Sequence, residues 1–221
     1  MDKIEKYYFS YVFFISILGT CIAFYDVNFF ESFYAREDSI LEWQQFIALA
    51  AAAGLCFYRV YNLRREKNIF FLLVLLAMTG VFVFGAGEEI SWGQRILNVK
   101  SPTYFIVNNS QQETNFHNLI LGGIKINKLV FGKLLGVGIA LYLLFLPWLY
   151  RKKVNIKNFC DRFGIPVPTW HQVIAYAALF LIVKITKLSG TGKKGEILEF
   201  GGTWIFFLMC WRPLNKKIFS K

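Results

Sequence analysis

The chain has 221 residues, of which 56% are hydrophobic and 19% aromatic, and its formal net charge is +11. A soluble domain of this length is less apolar. The excess of Lys and Arg fits the positive-inside rule, by which cytoplasmic loops collect basic residues, better than it fits nucleic-acid binding. The composition therefore excludes an ordinary soluble domain and favours a membrane protein with no nucleic-acid partner.

A bilayer core takes about 20 apolar residues per helix, so the chain has room for about six spans with short connections. The predicted fold is all-α, a polytopic membrane helix bundle that forms a single transmembrane domain over residues 1–221. We interpret the first apolar run as a retained helix rather than a cleaved signal peptide. The predicted spans are approximately 8–25, 40–61, 69–90, 130–150, 171–188 and 196–212.

Basic residues cluster on alternate connections, at 62–67, at 151–153 and at 212–217. With these clusters inside, the inner side carries 15 Lys plus Arg against 4 Asp plus Glu, and the outer side carries 10 against 10. The whole positive excess is then cytoplasmic, which predicts that both termini are cytoplasmic.

The longest connection, about 91–129, falls on the outer side and predicts a re-entrant or interfacial loop. Within it we expect a short helix over 113–121, with His117 turned toward Glu88 or Glu89. The inner connection 151–170 contains Pro166 and Pro168 and is expected to be a structured turn. The Gly- and Lys-rich run 189–195 lacks the strand and the spacing of a phosphate loop, and is expected to be a basic turn near lipid headgroups.

Acidic residues from several spans are predicted to meet at one depth. A carboxylate within or at the edge of hydrocarbon costs several kcal/mol unless it is paired, protonated or bound to a cation. Asp38 and Glu42 share a helical face that Gln45 continues, and Glu196 stands one turn before Glu199. Asp38 and Glu196 can equally be helix N-terminal caps.

The pair Glu88–Glu89 is predicted at a helix C-terminal end, where the macrodipole disfavours anions, and Arg95 is its expected partner. A structural ion pair and a functional site both remain open for it. In the functional alternative, a divalent metal ion is the cofactor, with carboxylates and one imidazole as ligands suited to Mg, Mn, Fe or Zn. The candidate metal ligands are Glu42, Glu89, Glu113, His117 and Glu199; the candidate catalytic residues are Glu88, Glu89, His117 and Arg95; the candidate substrate-binding residues are Trp92, Gln94 and Asn115.

Three motifs resemble those of a family of uncharacterised bacterial polytopic membrane proteins: EDxxxEW at 37–43, GEEISWGQR at 87–95 and ETNxHN at 113–118. The resemblance covers about residues 35–120 and implies a multi-pass protein of the bacterial inner membrane, with no activity to carry over. The first motif is also faintly similar to that of alkaline ceramidase-like membrane hydrolases, which hold zinc with three histidines and an aspartate. This chain departs from that pattern, since it has two histidines, predicted on opposite membrane faces.

The leading functional hypothesis is a metal-dependent enzyme, a hydrolase or transferase, that acts on a membrane lipid or lipid-linked substrate at the outer leaflet. Arg95 would then hold a phosphate or orient a carboxylate. The alternatives are an ion-coupled transporter, in which intramembrane acids relay protons or cations, and a non-catalytic membrane assembly subunit.

Overall fold

The structure, a computed structural model, describes residues 1–36, 39–126 and 134–220. As predicted, the described chain is mainly helical, and its one sheet is a hairpin of two short antiparallel strands. The helices are α1 (Lys3–Tyr25), α2 (Val27–Phe29), α3 (Ile40–Leu63), α4 (Ile69–Glu89), α5 (Thr103–Asn108), α6 (Leu135–Lys152), α7 (Val154–Phe163), α8 (Trp170–Thr186) and α9 (Gly195–Trp211); the strands are β1 (Ile120–Leu121) and β2 (Ile124–Lys125).

Within the described residues, five helices are long and apolar enough to cross a membrane: α1, α3, α4, α6, and α8 together with the 3-10 turn that follows it. This is the architecture of a multi-pass membrane protein. The sixth predicted span corresponds to α9, which has 17 residues and carries two glutamates in its first five positions. The first residues of the fourth predicted span, 130–133, lie outside the described residues.

Polar side chains set the beginnings of the helices, because each one satisfies backbone N–H groups that the first turn leaves open. Asp2 starts α1 and Thr169 starts α8, both in capping boxes. Asn68 starts α4, where its Oδ1 accepts a hydrogen bond from the backbone N–H of Phe71 at 3.0 Å. The caps of α4 and α8 lie in the connections at which the predicted spans were divided, and the cap of α1 precedes the first span.

Helix α9 lies at the centre of the bundle, in contact with α1, α3 and α8. Phe200 and Ile205 on α9 are fully buried, as is Leu179 on α8. A Cβ atom on Gly201 would lie 2.5 Å from the Leu179 side chain, so only glycine allows the two helices to approach this closely. The other face of the bundle is made by α3, which packs against both α4 and α9.

The three basic connections share one end of the bundle, as the charge pattern predicted. At this end the Arg59 guanidinium on α3 donates to the Cys210 carbonyl near the end of α9 at 2.6 Å. Asn68 Nδ2 donates to the Arg162 carbonyl at 3.0 Å, which joins the start of α4 to α7. The helix α7 itself was not predicted, since the sequence indicated only a structured turn there.

The segment between α1 and α3 folds back along α1. After α2, a π-helical turn, Phe30–Tyr34, reverses the direction of the chain. The buried Tyr34 then donates its hydroxyl hydrogen to the Ile15 carbonyl at 2.7 Å, and its ring lies against Gly19. As a result, α3 begins beside the middle of α1 rather than beside its end.

Candidate functional site

The first turns of α3 and α9 lie level with Tyr11, in the first half of α1. The Tyr11 hydroxyl donates to Gln44 Oε1 at 2.8 Å, and the Tyr11 ring contacts the Phe200 ring edge-on, with centroids 6.3 Å apart. Gln44 follows Glu42 by two residues and Phe200 follows Glu199 by one. At 1.5 Å per residue, Tyr11 is about 12 Å from the start of α1 and about 21 Å from its end. The acidic residues of α3 and α9 are therefore level with the interior of α1.

Helix α4 ends in a left-handed turn. Ser91, Trp92 and Gly93 all have positive φ values, of 47°, 55° and 76°, a conformation that costs about 1–3 kcal/mol for a residue other than glycine. The turn folds the Trp92 indole back over Gly87, where a Cβ atom would be 2.8 Å from the ring. This strained reversal brings the motif after α4 against the end of the helix.

Glu88 joins the end of α4 to the outer loop. Its Oε1 accepts from Trp92 Nε1 at 2.8 Å, and its Oε2 accepts from the backbone N–H groups of Phe116 at 2.7 Å and His117 at 2.9 Å. His117 Nδ1 lies 3.4 Å from the same Oε2, so the expected approach of His117 to Glu88 is confirmed. Both oxygens of this buried carboxylate are engaged by protein donors.

Arg95 pairs with Glu113 and Glu42. Its Nη1 donates to Glu113 Oε1 at 2.8 Å, and its Nη2 lies 3.8 Å from Glu42 Oε2. The prediction that Arg95 is the partner of the Glu88–Glu89 pair is wrong, because the left-handed turn directs the Arg95 side chain toward the loop. Glu113 Oε2 also accepts from the Ser91 hydroxyl at 2.5 Å.

The expected helix over 113–121 is also wrong: the segment forms turns that lead into β1. Buried asparagine side chains supply the hydrogen bonds that a helix would otherwise make. Asn109 Nδ2 donates to the Asn115 carbonyl at 2.9 Å, and Asn118 N–H donates to Asn115 Oδ1 at 3.3 Å. Glu113 and His117 therefore do not share a helical face, and the short helix of this loop is α5 instead.

Gln94 and Asn115, two of the candidate substrate contacts, hydrogen-bond to the loop itself. Gln94 Oε1 accepts from the Thr114 N–H at 2.7 Å and its Nε2 donates to Ser101 Oγ at 2.6 Å. Asn115 Nδ2 donates to Ser91 Oγ at 3.0 Å. Trp92, the third candidate, leaves nearly half of its surface exposed; its Nε1 donates to Glu88, and its ring packs on Phe84 and Gly87.

Four glutamates from α3, α4 and α9 form a second cluster next to this network. Glu89 lies within electrostatic range of Glu42, Glu196 and Glu199, and Glu196 and Glu199 stand one turn apart on α9. Glu199 keeps an exposed side chain and interacts with His117. We call Glu42, Glu89, Glu196 and Glu199 the carboxylate cluster. The sequence predicted that these spans bring their acids to one depth, which agrees with the proximity of Glu89 to the other three. Asp38, part of the same prediction, lies outside the described residues.

Arg95, Lys193 and His117 face the carboxylate cluster. Arg95 approaches Glu42 but is closer to Glu113, Lys193 acts on Glu196, and His117 acts on Glu199. Carboxylates in a medium of low dielectric repel one another, so a cluster of this kind holds protons or binds a cation. In the described residues, no three acidic, histidine or cysteine side chains already stand at the spacing of ligands to one metal ion.

Gln45, which the sequence did not single out as a site residue, lies at the base of the carboxylate cluster. It follows Glu42 by one turn on α3, is fully buried, and its amide interacts with Glu196 on α9. Neither its Oε1 nor its Nε2 makes a well-formed hydrogen bond with another described group. Buried amides nearly always have partners, and Glu196 is the group that this side chain faces.

An apolar groove of about 580 Å³ runs between α3 and α4. On α3 its lining follows one face, at one-turn steps, from Phe46 through Ala50 and Gly54, and Glu42 lies one turn before Phe46 on that face. On the α4 side the groove ends at Ile90 and at Trp92 and Gly93 of the left-handed turn. Glu42 therefore stands one turn beyond the groove on the same face of α3, and it also belongs to the carboxylate cluster.

Comparison of the chain with protein-family models, with curated proteins and with solved structures finds no match. The arguments about function therefore rest on the geometry of the site.

Proposed function

We propose that the protein is a divalent-metal-dependent membrane enzyme, a hydrolase or transferase, that acts on a lipid or lipid-linked substrate. The observation that carries the proposal is the carboxylate cluster, in which α3, α4 and α9 hold Glu42, Glu89, Glu196 and Glu199 around one region. A bound divalent cation would polarise a substrate oxygen or activate water there. Carboxylates of this kind also serve as general acids and bases.

The protein's own residues divide into two groups under this proposal. Glu88 and Glu113 hold the outer loop over the end of α4, because protein donors engage their oxygens. Glu89 and Glu199 accept or donate the proton. His117, which interacts with Glu199, assists in this transfer. Arg95, held by Glu113 and Glu42, is the candidate residue for contact with substrate oxygens.

The apolar groove supports a lipid substrate. An acyl chain lying between α3 and α4 would place its polar end near Glu42 and Trp92, where the groove ends. The loop that follows α4 also exposes large apolar side chains, including Leu97, Val99 and Val107, as a segment lying in the bilayer surface does. In this proposal α9 is the sixth span, both termini are cytoplasmic and the loop lies in the outer leaflet of an inner membrane.

The test is conversion of lipid by the purified protein in nanodiscs made from bacterial lipid extract, followed by mass spectrometry. We expect a product that disappears with chelator and returns with metal, and that is lost in Glu89→Gln, Glu199→Gln and His117→Ala. Gly54→Leu fills the groove from a position with open space, so it should slow turnover, whereas Gly138→Leu, also in open space but on α6, should not. Lipids that stay unchanged, or a product that all three site variants still form, would refute the enzyme.

A second candidate, an ion-coupled transporter, is favoured by one observation: the carboxylate cluster lies level with Tyr11, in the interior of α1, rather than at its end. Acids at such a depth are typical of proton and cation pathways. Proteoliposomes distinguish the two functions. Flux of protons or cations that depends on membrane potential and stops in Glu89→Gln, without any lipid product, would establish transport in place of catalysis.

A further inference from the structure

Helix α7 lies at the basic end of the bundle, at the opposite end of α4 from the carboxylate cluster. A single residue, Lys153, separates it from α6. The rings of Phe163 and Phe70 have centroids 5.7 Å apart, and Asn68 Nδ2 donates to the Arg162 carbonyl, so α7 packs on the start of α4. A helix of ten residues is too short to span a bilayer, and this one connects two spans at the same end.

The two sides of α7 differ in polarity. On one side Cys160 is fully buried and Ile156 partly buried. Phe159 lies at the edge of this apolar side and leaves 51% of its surface exposed. Lys157 and Arg162, both exposed, stand on either side of it. An apolar face flanked by basic side chains is the pattern of a helix that lies in the membrane interface.

Two tryptophans indicate the depth of this segment. Trp148 lies near the end of α6 and Trp170 at the start of α8, and both rings are exposed. Tryptophan is enriched at the level of lipid headgroups. The Arg151 guanidinium carbon stands 5.4 Å from the centroid of the Trp170 ring, within the range of a cation–π interaction. The basic residues that begin at Arg151 are therefore at headgroup level.

The charge of this segment is strongly positive. Residues 151–163 contain five Lys or Arg and one acid, Asp161. The Asp161 carboxylate accepts from the Tyr150 hydroxyl at 2.9 Å and from Asn215 Nδ2 at 3.1 Å, so internal hydrogen bonds engage it. Among the described residues, the ion pairs include none of the five basic side chains. We call these five the basic surface: Arg151, Lys152, Lys153, Lys157 and Arg162.

We propose that the basic surface binds the headgroups of anionic phospholipids, with the Phe159 ring inserted among their acyl chains. Lysine and arginine near a membrane surface attract anionic lipids, and the arginine fork also fits a phosphate. The exposed apolar side chains beside the lysines, Phe159 and Val154, favour a lipid over a nucleic acid or an acidic protein in water. This surface goes beyond the proposed function, because it lies at the other end of α4 from Glu89.

The experiment uses the full-length protein in detergent micelles, titrated with phosphatidylglycerol or with phosphatidylcholine of the same acyl chains, and counts bound lipids by native mass spectrometry. We expect phosphatidylglycerol to bind more tightly, and the difference to shrink as ionic strength rises. Lys153→Gln combined with Lys157→Gln should weaken phosphatidylglycerol binding about fivefold for each lysine removed. The matched control, Lys216→Gln with Lys217→Gln, removes the same charge from exposed positions after α9 and should leave the affinity unchanged.

Three outcomes overturn the proposal: equal affinities of the wild-type protein for the two lipids, unchanged phosphatidylglycerol affinity in the Lys153 and Lys157 variant, or equal weakening in the control. Both lysines are exposed, so the variant should fold, and its unfolding temperature in detergent verifies this. Phe159→Ser is an independent second variant that should also weaken binding, and an unchanged affinity would overturn the insertion of the ring. No turnover is measured, so failure of this surface and failure of the proposed enzyme are separate results.

Discussion

Trp92 donates its indole hydrogen to Glu88 at 2.8 Å although α4 ends between them, at Glu89. The contact exists because three successive residues with positive φ fold the chain back on the helix. The other oxygen of Glu88 holds Phe116 and His117 of the loop. One carboxylate thus fixes both the strained turn and the loop that covers it.

Glu88→Gln should destabilise the protein rather than change its chemistry. The amide offers one acceptor oxygen, so its NH₂ group must face either Trp92 or the backbone N–H groups of Phe116 and His117. Each donor left unsatisfied costs about 1–3 kcal/mol. Thermal unfolding in detergent should therefore shift to lower temperature. Glu66→Gln, at an exposed position in the loop between α3 and α4, is the matched control and should leave the transition in place.

Arg95 and Glu113 should be energetically coupled. Their 2.8 Å contact is partly shielded from solvent, with side-chain exposures of 28% and 13%. A double-mutant cycle with Arg95→Ala and Glu113→Ala should give a coupling free energy of about 1 kcal/mol in the stabilising direction. Stability losses that simply add would show that Arg95 is held mainly by other partners.

Gly201→Ala should weaken the packing of α9 on α8. The new Cβ atom would stand 2.5 Å from Leu179, which cannot be accommodated without moving a buried side chain. We expect a loss of about 1–3 kcal/mol, the usual cost of overpacking. Gly202→Ala is the control, since its Cβ would meet Tyr176 at an ordinary 3.6 Å. Equal unfolding temperatures for the two variants would contradict this account of the interface.

Glu31 should stabilise the contact between the segment after α1 and the loop before α9, and this stabilisation should depend on pH. Its Oε1 accepts from Thr191 Oγ1 and from the Gly192 N–H, both at 2.7 Å, and these bonds lower the pKa of Glu31 below its ordinary value of 4.5. A lowered pKa means that this stabilisation is present above 4.5 and is lost as the pH falls through the folded-state value. Glu31→Gln should lower the unfolding temperature near neutral pH, and the difference from wild type should shrink in acid. A difference that stays constant with pH would exclude the carboxylate as its cause.

Reporter fusions test the orientation of the bundle. Fusions after residues 65, 155 and 221 should report a cytoplasmic location, and fusions near 34, 110 and 191 an outer one, because basic connections remain inside. The structure groups the basic ends of α3 and α7 with the residues after α9. An outer report at 155 alone would therefore contradict both the charge pattern and the fold.

The apolar runs were sufficient to predict the long helices α1, α3, α4, α6, α8 and α9, because hydropathy and length determine which segments can span a bilayer. The proximity of the acidic residues could also be predicted from the topology, since antiparallel helices place the end of one helix beside the start of its neighbour. The details of the site did not follow. The helical spacing of Glu113 and His117 suggested a helix. In the structure, however, asparagine side chains accept hydrogen bonds from backbone N–H groups there, in place of the carbonyls of a helix.

The partner of Arg95 was missed because positive φ values at Ser91 and Trp92 cannot be foreseen from those residue types. Gln45 was noticed as part of a helical face, but nothing in the sequence indicates that its amide is buried beside Glu196. The chain folds back on α1 between Asp26 and Tyr34, and this reversal determines which part of α1 lies beside the start of α3. It depends on tertiary contacts such as that of Tyr34 with Ile15.

Because the first turns of α3 and α9 lie beside Tyr11, the depth of the site determines which measure of substrate concentration would govern the reaction rate. Molecules that reach a site at this depth through the groove arrive by lateral diffusion, already dissolved in hydrocarbon. The rate would then follow the mole fraction of substrate in the membrane, and adding inert lipid would slow the reaction at a fixed total amount of substrate. Such surface dilution is measurable by varying only the composition of the vesicles.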